Sequence, residues 1–361
     1  MDDAHTAGMS CPPRRLRVGV IGLGRMGSLH AANLASMPPV ELVHVSDERE
    51  EVARSLAATL GAACSTDPGE VVSDPRVDAI VIATPTSTHS ALISAAASGG
   101  KHVFCEKPLG CTPREHRDAI AAANDAGVCL QVGFHRRFDP DWVAARERIA
   151  AGELGEVYLF HTTLREREPP SREYIESAGS FFADFTIHDL DIARWLVGEV
   201  SEISAFTAGL SDPLFRESDH PDQAIIVVRF ACGALGTIDN SRTARYGYEC
   251  STEVVGSHAT VRIGRNQQRH DVQWLSEAGV RVDHIREFAE RYYIAYYSEL
   301  EGFARAVLAS EPVAVSGEDA FEAFRLATDA QRSLELRRPV THAGIEMEAE
   351  SVSRAGRCDS A

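Results

Sequence analysis

Paired cysteines, basic charge and long apolar runs are all scarce in this 361-residue chain. Its eight cysteines (Cys11, Cys64, Cys105, Cys111, Cys129, Cys232, Cys250 and Cys358) form no C-x-x-C pair, so neither a zinc site nor a secreted disulfide framework is expected. Basic residues number 36 against 53 acidic ones, a formal charge of −17. That balance offers no footprint for nucleic acid or anionic lipid and points to a small-molecule partner. No apolar run reaches the roughly 18 residues of a membrane span, and the start, MDDAHTAGMSCPPRR, lacks the apolar core of a signal peptide. A cytoplasmic protein is expected, with no membrane partner. Internal repeats and low-complexity arrays are also absent. What remains is ordinary globular composition, 44% hydrophobic and 25% charged, in a chain long enough for two domains.

Between Leu16 and about Phe134 short apolar runs alternate with helical stretches: LRVGVIG, SLHAANLASM, VELVHVSD, REEVARSLAATLG, VDAIVIATP, HSALISAAASGG and KHVFCEKPL. This order predicts right-handed βαβ units on a parallel sheet. A helix over about Asp141 to Ala151 then leads into longer alternating segments such as EVYLFHTTL, SEISAFTA and ECSTEVVGS, which predict a mostly antiparallel sheet. The expected fold class is α/β, with a parallel-sheet domain over residues 15–135. An α+β domain carrying a large open sheet follows over 136–341. Tyr293, Tyr296, Tyr297, Leu300 and Phe303 recur at helical spacing near the end and read as core. Residues 1–14 and 342–361 are polar and aperiodic, and are read as flexible tails.

The strand LRVGVI runs into Gly22-x-Gly24-x-x-Gly27 and then a helix expected from near Ser28. In that context the glycines form the fingerprint of a Rossmann dinucleotide site: Gly22 for the tight turn, Gly24 for approach to the pyrophosphate, Gly27 for close helix packing. Arg25 and Met26 lie inside the loop and are counted with it. Asp47 follows Gly27 by 20 residues at the end of VELVHVSD, suited to accept from the adenosine ribose hydroxyls and to repel a 2′-phosphate. NAD is therefore expected over NADP, a preference that Arg49, two residues on, softens. Thr84 and Pro85 end another strand at the same edge. His89 just beyond either caps a helix or touches the cofactor.

Glu106-Lys107-Pro108 ends the next strand, where such a fold delivers a lysine to the nicotinamide. Pro108 biases Lys107 towards an extended conformation aimed into the cleft. Downstream, Asp184 and His188 are four apart, on one face if the segment is helical. Oxidising a secondary alcohol needs a base and a positive group for the developing alkoxide. His188 and Lys107 can supply them, with Asp184 orienting the imidazole or binding a hydroxyl. From the pair alone, a packed core histidine and a helix-start carboxylate are the favoured reading. A metal bound by Asp184, His188 and Asp191 is disfavoured, because Asp191 is off the shared face; no metal is expected.

These residues resemble the glucose-fructose oxidoreductase/inositol dehydrogenase/MocA family, and within it bacterial inositol 2-dehydrogenases, from about Leu16 to Pro339. The matching pieces are VGVIGLGRMGSLHAANL, IATPTSTHS, GKHVFCEKPL, QVGFHRRFDPDW, SAGSFFADFTIHDLDIARWL, GTIDNSRTARYGYECSTEVVGS and ERYYIAYYSELEGF. The resemblance implies a catalytic set of Lys107, Asp184 and His188, with His188 as base and Lys107 as proton relay touching both substrate and cofactor. It also implies that Arg136 and the Tyr246-Gly247-Tyr248 segment, Tyr248 above all, face a polyol, and that the chain assembles as a homotetramer. The implied reaction is NAD-dependent oxidation of myo-inositol to scyllo-inosose. Other ring substrates (scyllo-inositol, an aminocyclitol, a pyranose sugar) and a non-catalytic NAD sensor are the alternatives. By chemistry alone, Arg136 or Arg137 could instead pair with Asp139. Two departures stand out. Gly179-Ser180 replaces the usual Gly-Gly, and the substrate-facing segment before Pro169 reads LREREPP, unusually charged: either a solvated loop or a device for an amino- or phospho-cyclitol.

Overall fold

Six strands, β1 (Leu16–Ile21), β2 (Val40–Ser46), β3 (Ala63–Ser65), β4 (Ala79–Ile82), β5 (His102–Glu106) and β6 (Leu130–Gly133), pair in parallel in the order β3-β2-β1-β4-β5-β6. They are apolar runs without a polar face, and every residue of β4 and β6 is buried. Such strands need helices on both sides of the sheet. The computed structural model that shows this describes residues 14–177, 179–217, 220–264 and 268–342. The tails expected at either end otherwise lie outside the described residues.

The second half alternates instead. Over Gln223–Phe230 every second side chain is buried, the pattern of a sheet with one face packed and one open. The strands are β7 (Val157–Arg165), β8 (Val200–Ala208), β9 (Gln223–Phe230), β10 (Leu235–Ser241), β11 (Glu249–Gly256), β12 (Thr260–Ile263), the hairpin β13 (Gln268–Ser276) and β14 (Gly279–His284), and β15 (Val340–Thr341). Seven of them form a sheet in the order β12-β11-β7-β10-β9-β8-β15, antiparallel except where β7 meets β10.

The last two long helices do not stay with this second sheet. Leu300, Phe303 and Ala304 of the helix Tyr293–Ala309 join the core around β1 and β2. The helix Gly317–Leu336 places Phe324 in the first half's core and Leu326 in the second's. The chain thus returns to cover its own first sheet. Tyr293, expected in the core, is exposed, because it opens its helix on the side away from both sheets' cores. His342, expected to start a tail, is fixed instead: its N–H donates to the Ser201 carbonyl at 2.9 Å. Its ring lies 2.7 Å from Asp329 and 3.2 Å from Glu322.

Candidate active site

The carboxyl edge of the first sheet builds the cofactor side. Gly22 has φ +87°, and a Cβ there would come 2.7 Å from the Ala83 carbonyl oxygen. A Cβ on Gly27 would come 1.8 Å from the Gly22 carbonyl, so both positions require glycine. Gly24 differs: its backbone is ordinary and a Cβ would meet nothing within 4 Å. That open space lies at the N-terminus of the helix Arg25–Ser36, which has no side-chain cap. Free N–H groups facing an open space at a helix start fit a dinucleotide pyrophosphate. The helix starts at Arg25 rather than near Ser28, because Gly24 itself supplies the extended N-cap backbone.

Asp47 is buried against this loop and accepts from the Leu23 N–H at 2.7 Å. It also takes the Arg49 N–H at 3.0 Å, Nε at 2.8 Å and Nη2 at 3.2 Å. Four donors fill a carboxylate's four acceptor positions. A ribose can reach Asp47 only when the Arg49 side chain, 58% exposed, swings away. Thr84, its hydroxyl 2.7 Å from that of Thr88, stands half-buried beside Gly22, and Pro85 after it is exposed. Met26 turns into the reaction pocket, whereas Arg25 pairs with Glu287 at 2.7 Å and covers the Phe288 ring. His89 ends the short helix Thr86–Thr88 and opens the helix His89–Ser98. It is buried, its ring nitrogens 2.7 Å from the Pro108 carbonyl and 2.8 Å from that of Thr84. It ties the loop after β4 to the loop carrying Lys107.

The pocket lies between the two sheets and is lined by Glu106, Lys107, Arg136, Asp184, His188 and Tyr248, all expected, together with His135, Glu166, Tyr174, Arg242 and Tyr296. Lys107 Nζ donates to the Asp184 backbone carbonyl at 2.6 Å and to its carboxylate at 3.2 Å. Tyr174 donates to the same carboxylate oxygen at 2.9 Å, and Arg242 to the other at 2.7 Å. Burial would raise the Asp184 pKa, but Lys107, Arg242 and Tyr174 outweigh it and hold the carboxyl well below its usual range.

Among the described residues no hydrogen bond joins Asp184 to His188. Phe182–Thr186 is a π-helical turn, wider than an α-turn, so the four-residue spacing does not stack the two side chains. The ring of His188 packs instead against Phe134 and His135, and its Nδ1 is buried without a partner. Burial first, then Lys107, His135 and Arg136, push its pKa well below the usual value. The imidazole is therefore neutral and able to accept a proton.

Arg136 is fully buried and donates to Asp189 at 2.5 Å. Arg137 forks onto Asp191 at 2.9 and 2.6 Å. Neither pairs with Asp139, which caps the next helix and takes Arg291 at 2.8 Å. Asp191 is thereby spoken for and does not join Asp184 and His188. Tyr248 is in the pocket wall, while Tyr246 is exposed and bonded to Arg165 and Glu249. The charged LREREPP segment is only partly solvated: Arg165 pairs with Asp239 and Glu166 takes Arg242 at 3.1 Å inside the pocket, whereas Arg167 pairs with the exposed Glu168.

Arg242 is the main residue that sequence reasoning missed. It is buried, stacked 4.2 Å over Phe185, and bridges Glu166 to Asp184. Its only sequence signal was its place in the NSR segment.

Comparison with known proteins fixes the family. Residues 16–134 match the oxidoreductase family with an NAD-binding Rossmann fold, and residues 142–262 match the GFO/IDH/MocA C-terminal domain. The chain belongs to the GFO/IDH/MocA oxidoreductase family. This family member is 40% identical to the myo-inositol 2-dehydrogenase of Thermotoga maritima, covering 90% of this chain and 98% of that one. It is 39% identical to the scyllo-inositol 2-dehydrogenase (NAD(+)) of Bacillus subtilis, over 90% and 96%. The crystal structure of a putative myo-inositol dehydrogenase from Sinorhizobium meliloti superposes with a TM-score of 0.88 at 35% identity, covering 91% of this chain and all of that one. The oxidoreductase uses NAD, and its fold is a Rossmann sheet followed by a mostly antiparallel one. Among its described residues no helix is long and apolar enough to cross a membrane.

Proposed function

We propose that this oxidoreductase oxidises a secondary alcohol of a cyclitol ring, myo-inositol to scyllo-inosose. The observation that carries the reading is the convergence of Lys107, Asp184 and His188 in one pocket whose wall also carries Arg136, Glu166, Arg242 and Tyr248. The relatives named above for inositol substrates, similar over their whole length, support the substrate class. NAD, when bound, supplies the hydride acceptor. His188, neutral through burial, takes the hydroxyl proton. Lys107, held by Asp184, donates to the oxygen as its negative charge develops and relays the proton. Asp184 keeps the lysine aimed, and one of its acceptor positions is left for a ring hydroxyl. Arg136 and Tyr248 offer donors to the other hydroxyls. Scyllo-inositol is the second reading, favoured by the relative named for it.

Purified protein with NAD, assayed by absorbance against myo-, scyllo- and chiro-inositol, aminocyclitols and glucose, tests the proposal. Turnover of a cyclitol supports it. NAD binding without turnover of any of them rejects it and leaves a sensor.

Arg242→Ala is expected to lower kcat about tenfold or more, because Asp184 loses a charge-assisted donor and with it the hold on Lys107. Steady-state kinetics check this, and KM for NAD should be little changed. Asp47→Ser is expected to raise the NADP-to-NAD ratio of kcat/KM by at least about tenfold, since it removes the charge that repels a 2′-phosphate and frees Arg49 to meet one. Cofactor kinetics with both nucleotides read it directly.

We also propose a homotetramer. Leu159, Phe206, Ile225, Val227 and Leu235 stand exposed on the open face of the second sheet, an apolar surface of the kind that self-association covers. Sedimentation at several concentrations would show a single monomeric species if this is wrong.

A further inference from the structure

Behind the pocket, His30 of the helix Arg25–Ser36, Glu106 of β5 and Glu299 of the helix Tyr293–Ala309 meet, with their possible ligand atoms all within 4.8 Å of one another. Glu106 faces two ways. It lines the pocket next to Lys107, and its carboxylate lies 2.6 Å from His30 Nε2. Space is kept for it: a Cβ on Gly133 of β6 would come within 3.1 Å of its Oε2. Glu299 is fully buried, and neither of its carboxylate oxygens has a hydrogen-bond partner, although Gln131 binds its backbone carbonyl at 2.8 Å. The titratable groups about it are His30, Glu106 and, on its own helix, Tyr296, whose ring packs against His30. No lysine or arginine is among them.

We propose that Glu299 keeps its proton in the working enzyme and, with His30, positions the Glu106 carboxylate in the pocket wall. An ionised carboxylate sealed away without a donor is strongly disfavoured, and a second carboxylate close by disfavours it further. Protonation removes that conflict and leaves the Glu106 carboxylate to His30. An ionised Glu299 would repel Glu106 off His30 and towards Lys107. Burial, then Glu106, push the Glu299 pKa well above the usual carboxyl range. The sign follows: the stabilisation is fully present below the unfolded carboxyl pKa and is lost as pH rises through the raised folded value. Glu299 touches neither substrate nor cofactor and is a positioning residue.

The turnover part of the test rests on the proposed reaction; the rest does not. Infrared difference spectra of wild type against Glu299→Gln at neutral pH should show the carbonyl band of an un-ionised carboxylic acid in the wild type alone. The amide mimics a neutral acid, so Glu299→Gln should bind NAD as the wild type does and keep kcat within about threefold. It should also lose less melting temperature than the wild type as pH rises. Glu299→Leu, neutral but without the polar acid group that a protonated Glu299 turns towards Glu106 and His30, should lose about tenfold in kcat with KM little altered. The proposal is overturned if the acid band is missing, if Glu299→Gln falls as far as Glu299→Leu, or if the purified protein holds one divalent metal per chain that Glu299→Gln loses. Should no cyclitol be turned over, the proposed reaction fails while the infrared and melting results still decide the state of Glu299.

Discussion

Lys107→Met is expected to lower kcat by about a thousandfold or more while NAD binding, followed by fluorescence titration, persists. The side chain is nearly enclosed, 14% exposed, and its ammonium group is fixed by two oxygens of Asp184. It is therefore already aimed before a substrate enters, and no reorganisation is needed when the alkoxide charge appears. Methionine fills the same volume without the charge or the donor, so the loss should fall on kcat rather than on KM for NAD. A comparable loss in NAD affinity would mean that Lys107 holds the cofactor and another group stabilises the oxygen. Lys107→Arg should rescue little, because a planar fork cannot reproduce the point contact with the Asp184 carbonyl.

His188→Asn should cost kcat about a hundredfold to ten-thousandfold, the range of a positioned general base. The pH profile separates a base from a packing residue. Because the folded pKa of His188 is depressed, its neutral form persists below the ordinary histidine value near 6.5, and proton acceptance fails only as pH falls through the lowered value. The acid limb of kcat/KM is therefore expected below pH 6.5 in the wild type and absent from whatever activity His188→Asn retains. An acid limb unchanged in His188→Asn would assign it to another group. Stability moves the same way: a histidine buried neutral contributes above its unfolded pKa and loses that contribution as pH falls.

The cofactor edge was legible because its requirements are local. Gly22 and Gly27 are fixed by backbone atoms of the turn and the adjoining strand end, so the fingerprint carries them intact. Lys107, Arg136, Asp184, His188 and Tyr248 do line one pocket, but their pairings differ from those weighed in the sequence. Asp184 was expected to orient His188 or bind a substrate hydroxyl; its carboxylate takes Lys107 and not His188, because the segment winds as a π turn. Arg136 and Arg137 were weighed against Asp139, two or three residues away, and found Asp189 and Asp191 instead, more than fifty residues off. Glu166 looked like one charge in a solvated run. It is drawn inward by Arg242, the residue just past the end of β10.

By itself the sequence determined the parallel order of the first half, the alternation of the second and the glycine cradle, since each depends on the periodicity and conformation of consecutive residues. Only the tertiary structure decided which charges neutralise one another and that the helix Tyr293–Ala309 returns to the first sheet, bringing Glu299 to Glu106 and His30. Burial makes those pairings obligatory, because an enclosed charge or donor must find a partner wherever the chain passes nearest, and sequence distance has no part in that choice.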